Sequence, residues 1–140
     1  MTKIIIQLPQ AIDVVAINKL ICEEDGNPHH CYDIGKIESA LHSAFYPGAY
    51  PFIAGGLAKV AGTLCFYLVK THAFVDGNKR TAAIVAITFL NEHGWDLTYP
   101  FDEEKDTNAL GQIIDDCAAG NVGKEQLADW FEVHKSVLES

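Results

Sequence analysis

The segment His72–Thr81, HAFVDGNKRT, places an imidazole, a carboxylate, a glycine and two cations directly ahead of a long apolar run. Gly77 and Asn78 stand where a loop should become a helix, so we expect unpaired backbone N–H groups at the positive end of the helix dipole. Gly77 lets a ligand approach the backbone, and Asn78 can cap the turn or donate a side-chain hydrogen bond. Lys79 and Arg80 add a compact charge and a planar fork that suit phosphate oxygens. The segment therefore predicts a polyphosphate site.

Two further residues of the segment indicate what happens at that phosphate. The negative charge of Asp76 beside phosphates is explained if Asp76 binds Mg²⁺, because one carboxylate and the substrate phosphates can coordinate this ion together. His72 can act as the base, because a neutral imidazole near pH 7 takes a proton readily from an attacking hydroxyl. Phe74, between them, should be buried and hold the loop against the core. Together they predict phosphoryl-type transfer from a nucleotide to a hydroxyl, catalysed largely by positioning and charge stabilisation.

The same residues have an ordinary structural explanation. Asp-Gly-Asn before a helix is a common turn and cap, and a single histidine in a loop usually has no catalytic role. The combination is more specific, because the segment also contains Arg80, the only arginine of the chain. This placement of a scarce cation favours a dedicated anion site over a simple turn.

Length and composition limit the possible partners. The 140 residues, 49% of them hydrophobic, suffice for one domain over 1–140 with a core that needs no disulfide or structural metal. The net charge of -9 argues against direct binding of nucleic acid, whose phosphates require clustered cations. Lys59, Lys70 and Asn91 interrupt the apolar stretches before they reach a membrane-spanning length. Because the first residues lack a signal-peptide pattern, we expect a cytoplasmic protein.

Apolar periodicity predicts six helical regions, and the fourth starts inside the motif. Its run Ala82–Leu90 is apolar on every face, which predicts a buried central helix that stops near Gly94. The only strand signals are Ile4–Leu8 and Trp95–Tyr99. We therefore predict an all-α fold, a compact single-domain helical bundle around the central helix. The other predicted helices are Ala11–Glu24, Ile34–Phe45, Ile53–Val69, Asp102–Ala119 and Lys124–Leu138.

The motif HAFVDGNKR resembles the signature of the Fic/Doc family, and within it the Doc (death-on-curing) branch of bacterial toxin–antitoxin toxins. The resemblance covers about three quarters of the chain. It includes KIESAL at Lys36–Leu41, TAAIVAITFLNEHGW at Thr81–Trp95 and AAGNVGKEQLADWF at Ala118–Phe131. The resemblance implies a small α-helical bundle, which agrees with the fold expected from periodicity.

The resemblance also implies residue roles: His72 as the base, Asp76 as the Mg²⁺ ligand, and Asn78, Lys79 and Arg80 as ATP phosphate-binding groups. Adenylylating Fic enzymes usually have glycine where this chain has Lys79, and a second arginine where it has Ala83. In Doc-like members the lysine accompanies a reversed nucleotide pose that presents the γ-phosphate. The implied activity is therefore a kinase acting on a Ser or Thr of a target protein.

The resemblance implies partners as well. The target class in Doc toxins is a translation elongation factor, with elongation factor Tu as the candidate. Thr88 and Glu92 have the spacing of a self-inhibitory segment, but they lie in the central helix, so we expect inhibition by a separate antitoxin. Two alternatives remain open, a Fic-type protein adenylyltransferase (AMPylation) and an inactive binding module.

Two weaker signals lie outside the motif. Phe45, Tyr46, Tyr50 and Phe52, around two prolines, predict either a flap that receives a target segment or aromatic packing under a loop. His29, His30 and Cys31, with Cys22 upstream, fit no standard zinc spacing, so we interpret them as loop residues. All four cysteines are widely spaced, and we expect free, mostly buried thiols.

Overall fold

The computed structural model describes residues 8–45, 56–102 and 107–139, and these residues form six helices and two short two-stranded sheets. The predicted all-α class is confirmed. The helices are α1 (Ala11–Asp25), α2 (Ile34–Phe45), α3 (Leu57–Thr71), α4 (Asn78–Glu92), α5 (Ala109–Ala118) and α6 (Lys124–His134). The strands are β1 (Trp95–Leu97), β2 (Phe101–Asp102), β3 (Thr107–Asn108) and β4 (Lys135–Val137).

Helix α3 lies at the centre of the fold. It packs against α2, α4, α5 and α6, and Val60, Ala61, Leu64 and Cys65 are completely buried. The approach to α6 is closest at Gly62, where a Cβ atom would lie 2.7 Å from the Cα of Ala128. A larger side chain at that position would force the two helices apart, so glycine fixes their separation.

Helix α4 begins in the motif, as predicted, and ends two residues before Gly94. It packs against α1, α3, α5 and β1, with Ala82, Ala86 and Leu90 completely buried. Its burial is less complete than the apolar sequence predicted, because Ile84 is 37% exposed. The most enclosed helix is therefore α3, and α4 joins the core to the surface at its N-terminal end.

Helix α1 carries a polar residue on its buried face. That face consists of Val14, Asn18, Ile21 and Cys22, whereas Ile12 on the opposite side is 69% exposed. Asn18 is completely buried. A buried amide must find hydrogen-bond partners in the protein, and those of Asn18 include the carbonyl of Asp76 in the motif loop.

Two predicted helices at the C-terminal end are shorter than their periodicity suggested. The predicted Asp102–Ala119 helix begins only at Ala109, because the Asn108 side chain caps it by accepting from the N–H of Gly111 at 2.7 Å. Strands β2 and β3 pair antiparallel immediately before it. The predicted Lys124–Leu138 helix ends at His134, because Lys135–Val137 leave it to pair with β1. A local cap thus decides where α5 begins, and pairing with a distant strand, which periodicity does not reveal, decides where α6 ends.

Other predicted bounds agree with the structure. Helix α2 covers the predicted Ile34–Phe45, α1 ends one residue later than predicted, and β1 lies within Trp95–Tyr99. Helix α3 continues to Thr71, two residues beyond its predicted end. The predicted start of that helix at Ile53, the aromatic segment from Tyr46 to Phe52, and most of the strand predicted at Ile4–Leu8 lie outside the described residues.

Candidate active site

The motif loop connects α3 to α4 and is anchored on both sides. Ala73 and Phe74 are each 3% exposed, so the prediction that Phe74 holds the loop against the core is confirmed. The segment around Cys31 pairs with the loop in a strand-like manner: the N–H of Tyr32 donates to the carbonyl of Ala73, and that of Val75 to the carbonyl of His30. The loop is thus a defined part of the fold.

Asn78 closes the loop with its side chain. Its Oδ1 accepts from the N–H of Phe74 at 3.0 Å, and its Nδ2 donates to the carbonyl of Phe74 at 2.8 Å. The residue is 8% exposed. Both halves of the amide are therefore engaged by the loop, and the group that Asn78 can offer to a ligand is its backbone N–H.

Gly77 turns the chain into α4. Its φ of 75° and ψ of 14° lie in the left-handed region that favours glycine, and its N–H donates to Oδ1 of Asp76 at 2.8 Å. The N–H groups of Asn78, Lys79 and Arg80 follow in the first turn, where no helical acceptor exists for them. These three N–H groups and the helix dipole form the predicted anion-binding end.

The two cations of this turn are held by carboxylates from neighbouring helices. The Nζ of Lys79 lies 2.9 Å from Oδ1 of Asp115 on α5, and Nη1 of Arg80 contacts Oδ2 of Asp25 at the end of α1. Positive side chains at a helix N-terminus oppose the helix dipole, and the first turn of α4 contains no acidic residue. The two cations are therefore unfavourable for the helix alone. The carboxylates of Asp115 and Asp25 offset this unfavourable interaction.

A cleft of about 450 Å³ opens in front of this turn. Its volume is within the range of small-ligand and cofactor sites. Every site residue predicted from the sequence lines it, so the fold brings all six together. The lining residues are Ile21, Cys22, Asp25, Asn27, Val69, His72, Val75, Asp76, Gly77, Asn78, Lys79, Arg80 and Ala118.

Asp76 is the lining carboxylate closest in sequence to the phosphate-binding turn. One of its oxygens accepts from Gly77, which leaves the other free for a cation. In the described part of the chain, His, Cys, Asp and Glu side chains form no group of three or more that could hold a metal ion. A single carboxylate oxygen of this kind is the protein contribution that Mg²⁺ needs where substrate phosphates supply further ligands.

His72 stands at the rim of the cleft. It follows the last residue of α3 and adopts φ 49° and ψ 52°, a left-handed conformation unusual for a residue other than glycine. The residue is exposed. Backbone strain of this kind persists where surrounding structure imposes it, and here it occurs at a residue that lines the cleft.

Sequence reasoning missed Asn18 and Asp25. Asn18 lies one turn after Val14 and one turn before Cys22, so a polar residue on the buried face was the available signal. Its Nδ2 donates to the carbonyl of Asp76 at 2.9 Å and to Oγ1 of Thr81 at 3.0 Å. Asp25 gives no signal in the sequence, because its pairing with Arg80 depends on the tertiary fold.

The cysteines agree with the expectation of free thiols. All four are free; Cys22, Cys65 and Cys117 are buried and Cys31 is partly exposed. Burial raises the pKa of the Cys22 thiol, and the carboxylates of Asp76 and Asp25 raise it further. The ring of His29, considered above for zinc, contacts Oδ1 of Asn18 through Nδ1 at 2.9 Å.

No helix among residues 8–45, 56–102 and 107–139 combines the length and the apolar character needed to cross a bilayer.

Comparison with known proteins gives two matches. A sequence model described as the Fic/DOC family matches residues 10–90, which is more than half of the chain and includes the whole motif. The Toxin Doc of Mycolicibacterium smegmatis (strain ATCC 700084 / mc(2)155) is 36% identical over 66 residues, which are 46% of this chain and 51% of that protein. The chain thus matches about half the length of this curated relative.

Proposed function

The chain belongs to the Fic/DOC family, and we propose that it is the toxin of a toxin–antitoxin module, an ATP-dependent transferase that modifies a Ser or Thr hydroxyl of a target protein. One observation carries the proposal: the cation-bearing first turn of α4 opens onto a cleft that also contains Asp76 and has His72 at its rim. This arrangement supplies an anion site, a hard-metal ligand and a base within one cavity.

The phosphates of ATP occupy the first turn of α4 in this proposal. They accept hydrogen bonds from the N–H groups of Asn78, Lys79 and Arg80, and the Arg80 guanidinium exchanges Asp25 for phosphate oxygens. Asp76 would hold Mg²⁺ through the carboxylate oxygen that does not accept from Gly77, and the ion would neutralise charge on the phosphates. Asn78 keeps the loop closed through Phe74 throughout.

His72 takes the proton of the acceptor hydroxyl. The hydroxyl oxygen then forms a bond to the γ-phosphorus, the bond from that phosphorus to the bridging oxygen of ADP breaks, and ADP leaves with the electron pair. His72 afterwards releases its proton to solvent. The exposed position of His72 supports this role, because a protein-borne hydroxyl must reach the base from outside the cleft.

Lys79 and Ala83 support γ-phosphoryl transfer over adenylylation. We propose that Lys79 favours the nucleotide pose that presents the γ-phosphate, and that Ala83 leaves the α-phosphate without a second arginine. The name of the Toxin Doc relative supports the toxin role, and with it a separate antitoxin as partner. An elongation factor, with elongation factor Tu first, is the target class to be tested.

Position-labelled ATP tests the reaction. Purified protein is incubated with cell extract, or with purified elongation factor Tu, and with ATP labelled in either the α or the γ phosphate. The proposal predicts protein-bound label from γ only; label from α alone would show that the chain is an adenylyltransferase. Lys79→Gly is expected to shift the product towards nucleotidyl transfer, which mass spectrometry of the modified target detects. The absence of label from either position would favour a binding module without catalysis.

A further inference from the structure

A single buried side chain, that of Asn18 on α1, contacts both the motif loop and helix α4 of the candidate site. It is completely buried, and its Nδ2 donates to the carbonyl of Asp76 and to Oγ1 of Thr81, while Oδ1 faces Nδ1 of His29 at 2.9 Å. The Cys22 thiol approaches the same Oδ1 at 3.6 Å. The amide thus has partners for both of its ends inside the core.

The partners determine how the Asn18 amide is oriented. The carbonyl of Asp76 can only accept, so the NH₂ group must face it and Oδ1 must face His29. His29 then carries a proton on Nδ1, which donates to Oδ1 of Asn18. These partners hold the amide in one orientation.

The contact at Asp76 fixes the peptide between Asp76 and Gly77. Because the peptide is planar and trans, its carbonyl and its N–H point in opposite directions. Asn18 holds the carbonyl side, and the Asp76 carboxylate accepts from the N–H of Gly77 on the other side. The orientation of this peptide therefore determines the position of the Asp76 carboxylate and the direction of the N–H groups of Asn78, Lys79 and Arg80.

The second contact fixes the distance between this peptide and α4. Thr81 lies one turn into α4 and is 2% exposed, so its hydroxyl is a rigid acceptor inside the core. The same NH₂ group therefore ties the loop and the helix together. The Asn18 amide also fills the space beside Gly77, because a Cβ on Gly77 would lie 3.1 Å from Nδ2 of Asn18.

We infer that Asn18 is a positioning residue, kept in one orientation by His29, that holds the Asp76 carboxylate and the phosphate-binding N–H groups in register. This role rests on the proposed function, since it concerns the site where Mg²⁺ and the phosphates would bind. Asn18 acts through other residues and does not line the cleft. Loss of such a supporting hydrogen bond typically lowers metal affinity or activity by 10–100-fold.

Asn18→Ser tests the role against Thr81→Val. Both substitutions remove a buried hydrogen bond of the same Asn18 NH₂ group, but only Asn18→Ser frees the Asp76 carbonyl. In ligand-free protein, amide hydrogen exchange at Gly77, whose N–H donates to the Asp76 carboxylate, should accelerate by on the order of tenfold in Asn18→Ser, and clearly less in Thr81→Val. The Mg²⁺ concentration for half-maximal transfer should rise by on the order of tenfold in Asn18→Ser alone.

Equal exchange rates and equal Mg²⁺ dependence in the two variants would overturn the inference, because Asn18 would then contribute only stability. Should Asn18→Ser not fold, the half-buried His29 provides the test. His29→Leu removes the donor that orients the amide and should change both quantities in the same direction, while His29→Gln, which restores an N–H donor, should recover them. Wild-type values for His29→Leu would also overturn the inference.

The exchange measurement separates this inference from the proposed function. If wild-type protein neither binds Mg-ATP nor transfers label, the proposed function fails. Amide exchange in the ligand-free variants still decides whether Asn18 fixes the loop.

Discussion

Asp25 should compete with ATP for Arg80, so Asp25→Asn is expected to tighten Mg-ATP binding. In the structure the Arg80 guanidinium contacts the Asp25 carboxylate, and both residues line the cleft. A phosphate can use the guanidinium only after this ion pair opens. The substitution keeps the shape of the side chain and removes the competing charge.

The exposure of the pair sets the size of the effect. The side chains of Arg80 and Asp25 are 52% and 38% exposed, so the pair is solvent-screened and is worth about 0.2–1 kcal/mol. Removing the competitor should therefore lower the Kd for Mg-ATP by about 1.4- to 5-fold. The substitution also removes the repulsion between the Asp25 carboxylate and the phosphates, which should lower the Kd further. The effect should be largest at low salt, where screening is weakest.

Isothermal titration calorimetry at two salt concentrations measures this effect. The matched control is Asp129→Asn, which also removes one negative charge and one exposed ion pair, that of Asp129 with Lys59, but at a residue that does not line the cleft. The control should leave the Kd almost unchanged. Weaker binding in Asp25→Asn would refute the reasoning, since Asp25 would then support the ligand or its metal. An equal gain in both variants would attribute the effect to net charge.

Three further predictions concern packing, thiols and catalysis. Gly62→Ala should lower the free energy of unfolding by about 1–3 kcal/mol, because its Cβ would meet the backbone of α6. Gly56→Ala, at the N-cap of α3 and with open space around its Cβ, should cost less, about 0.5–1 kcal/mol; urea unfolding compares the two variants. Native protein should be alkylated first at Cys31, which is partly exposed whereas the other three thiols are buried. Burial raises the pKa values of Cys22, Cys65 and Cys117 in the folded protein, so the free energy of unfolding should fall as the pH rises above about 9, the ordinary pKa of a thiol. Unfolding measured at several pH values checks this trend. His72→Ala should abolish growth inhibition by the expressed protein, while the exposed control His30→Ala retains it; equal toxicity of wild type and His72→Ala would exclude the catalytic role.

The helices that position the site could be predicted because their signals are local. The fully apolar run after the motif predicted α4, and apolar periodicity predicted the end of α1 to within one residue. The start of α4 in the motif followed from Gly77 and Asn78, whose backbone and side-chain chemistry is set by their immediate neighbours. Local chemistry was therefore sufficient to predict the helix end that lines the cleft.

The contacts that complete the site depend on tertiary structure and were not predictable from spacing. Asp25 and Asp115 lie 55 and 36 residues in sequence from the cations they contact. Asn18 reaches the Asp76 carbonyl across 58 residues. Such pairings depend on how α1 and α5 pack beside α4, and one sequence carries no pattern that specifies it. The C-terminal strand β4 was missed for the same reason, since its partner β1 is some 40 residues away.

The most direct test of the account is a crystal structure with Mg²⁺ and a non-hydrolysable ATP analogue. The account predicts phosphates at the N–H groups of Asn78–Arg80, a cation bound by Asp76, and Arg80 turned from Asp25 to phosphate oxygens. A nucleotide bound elsewhere, or a cleft that stays free of it while Arg80 remains on Asp25, would contradict the central claim that the first turn of α4 is the phosphate site.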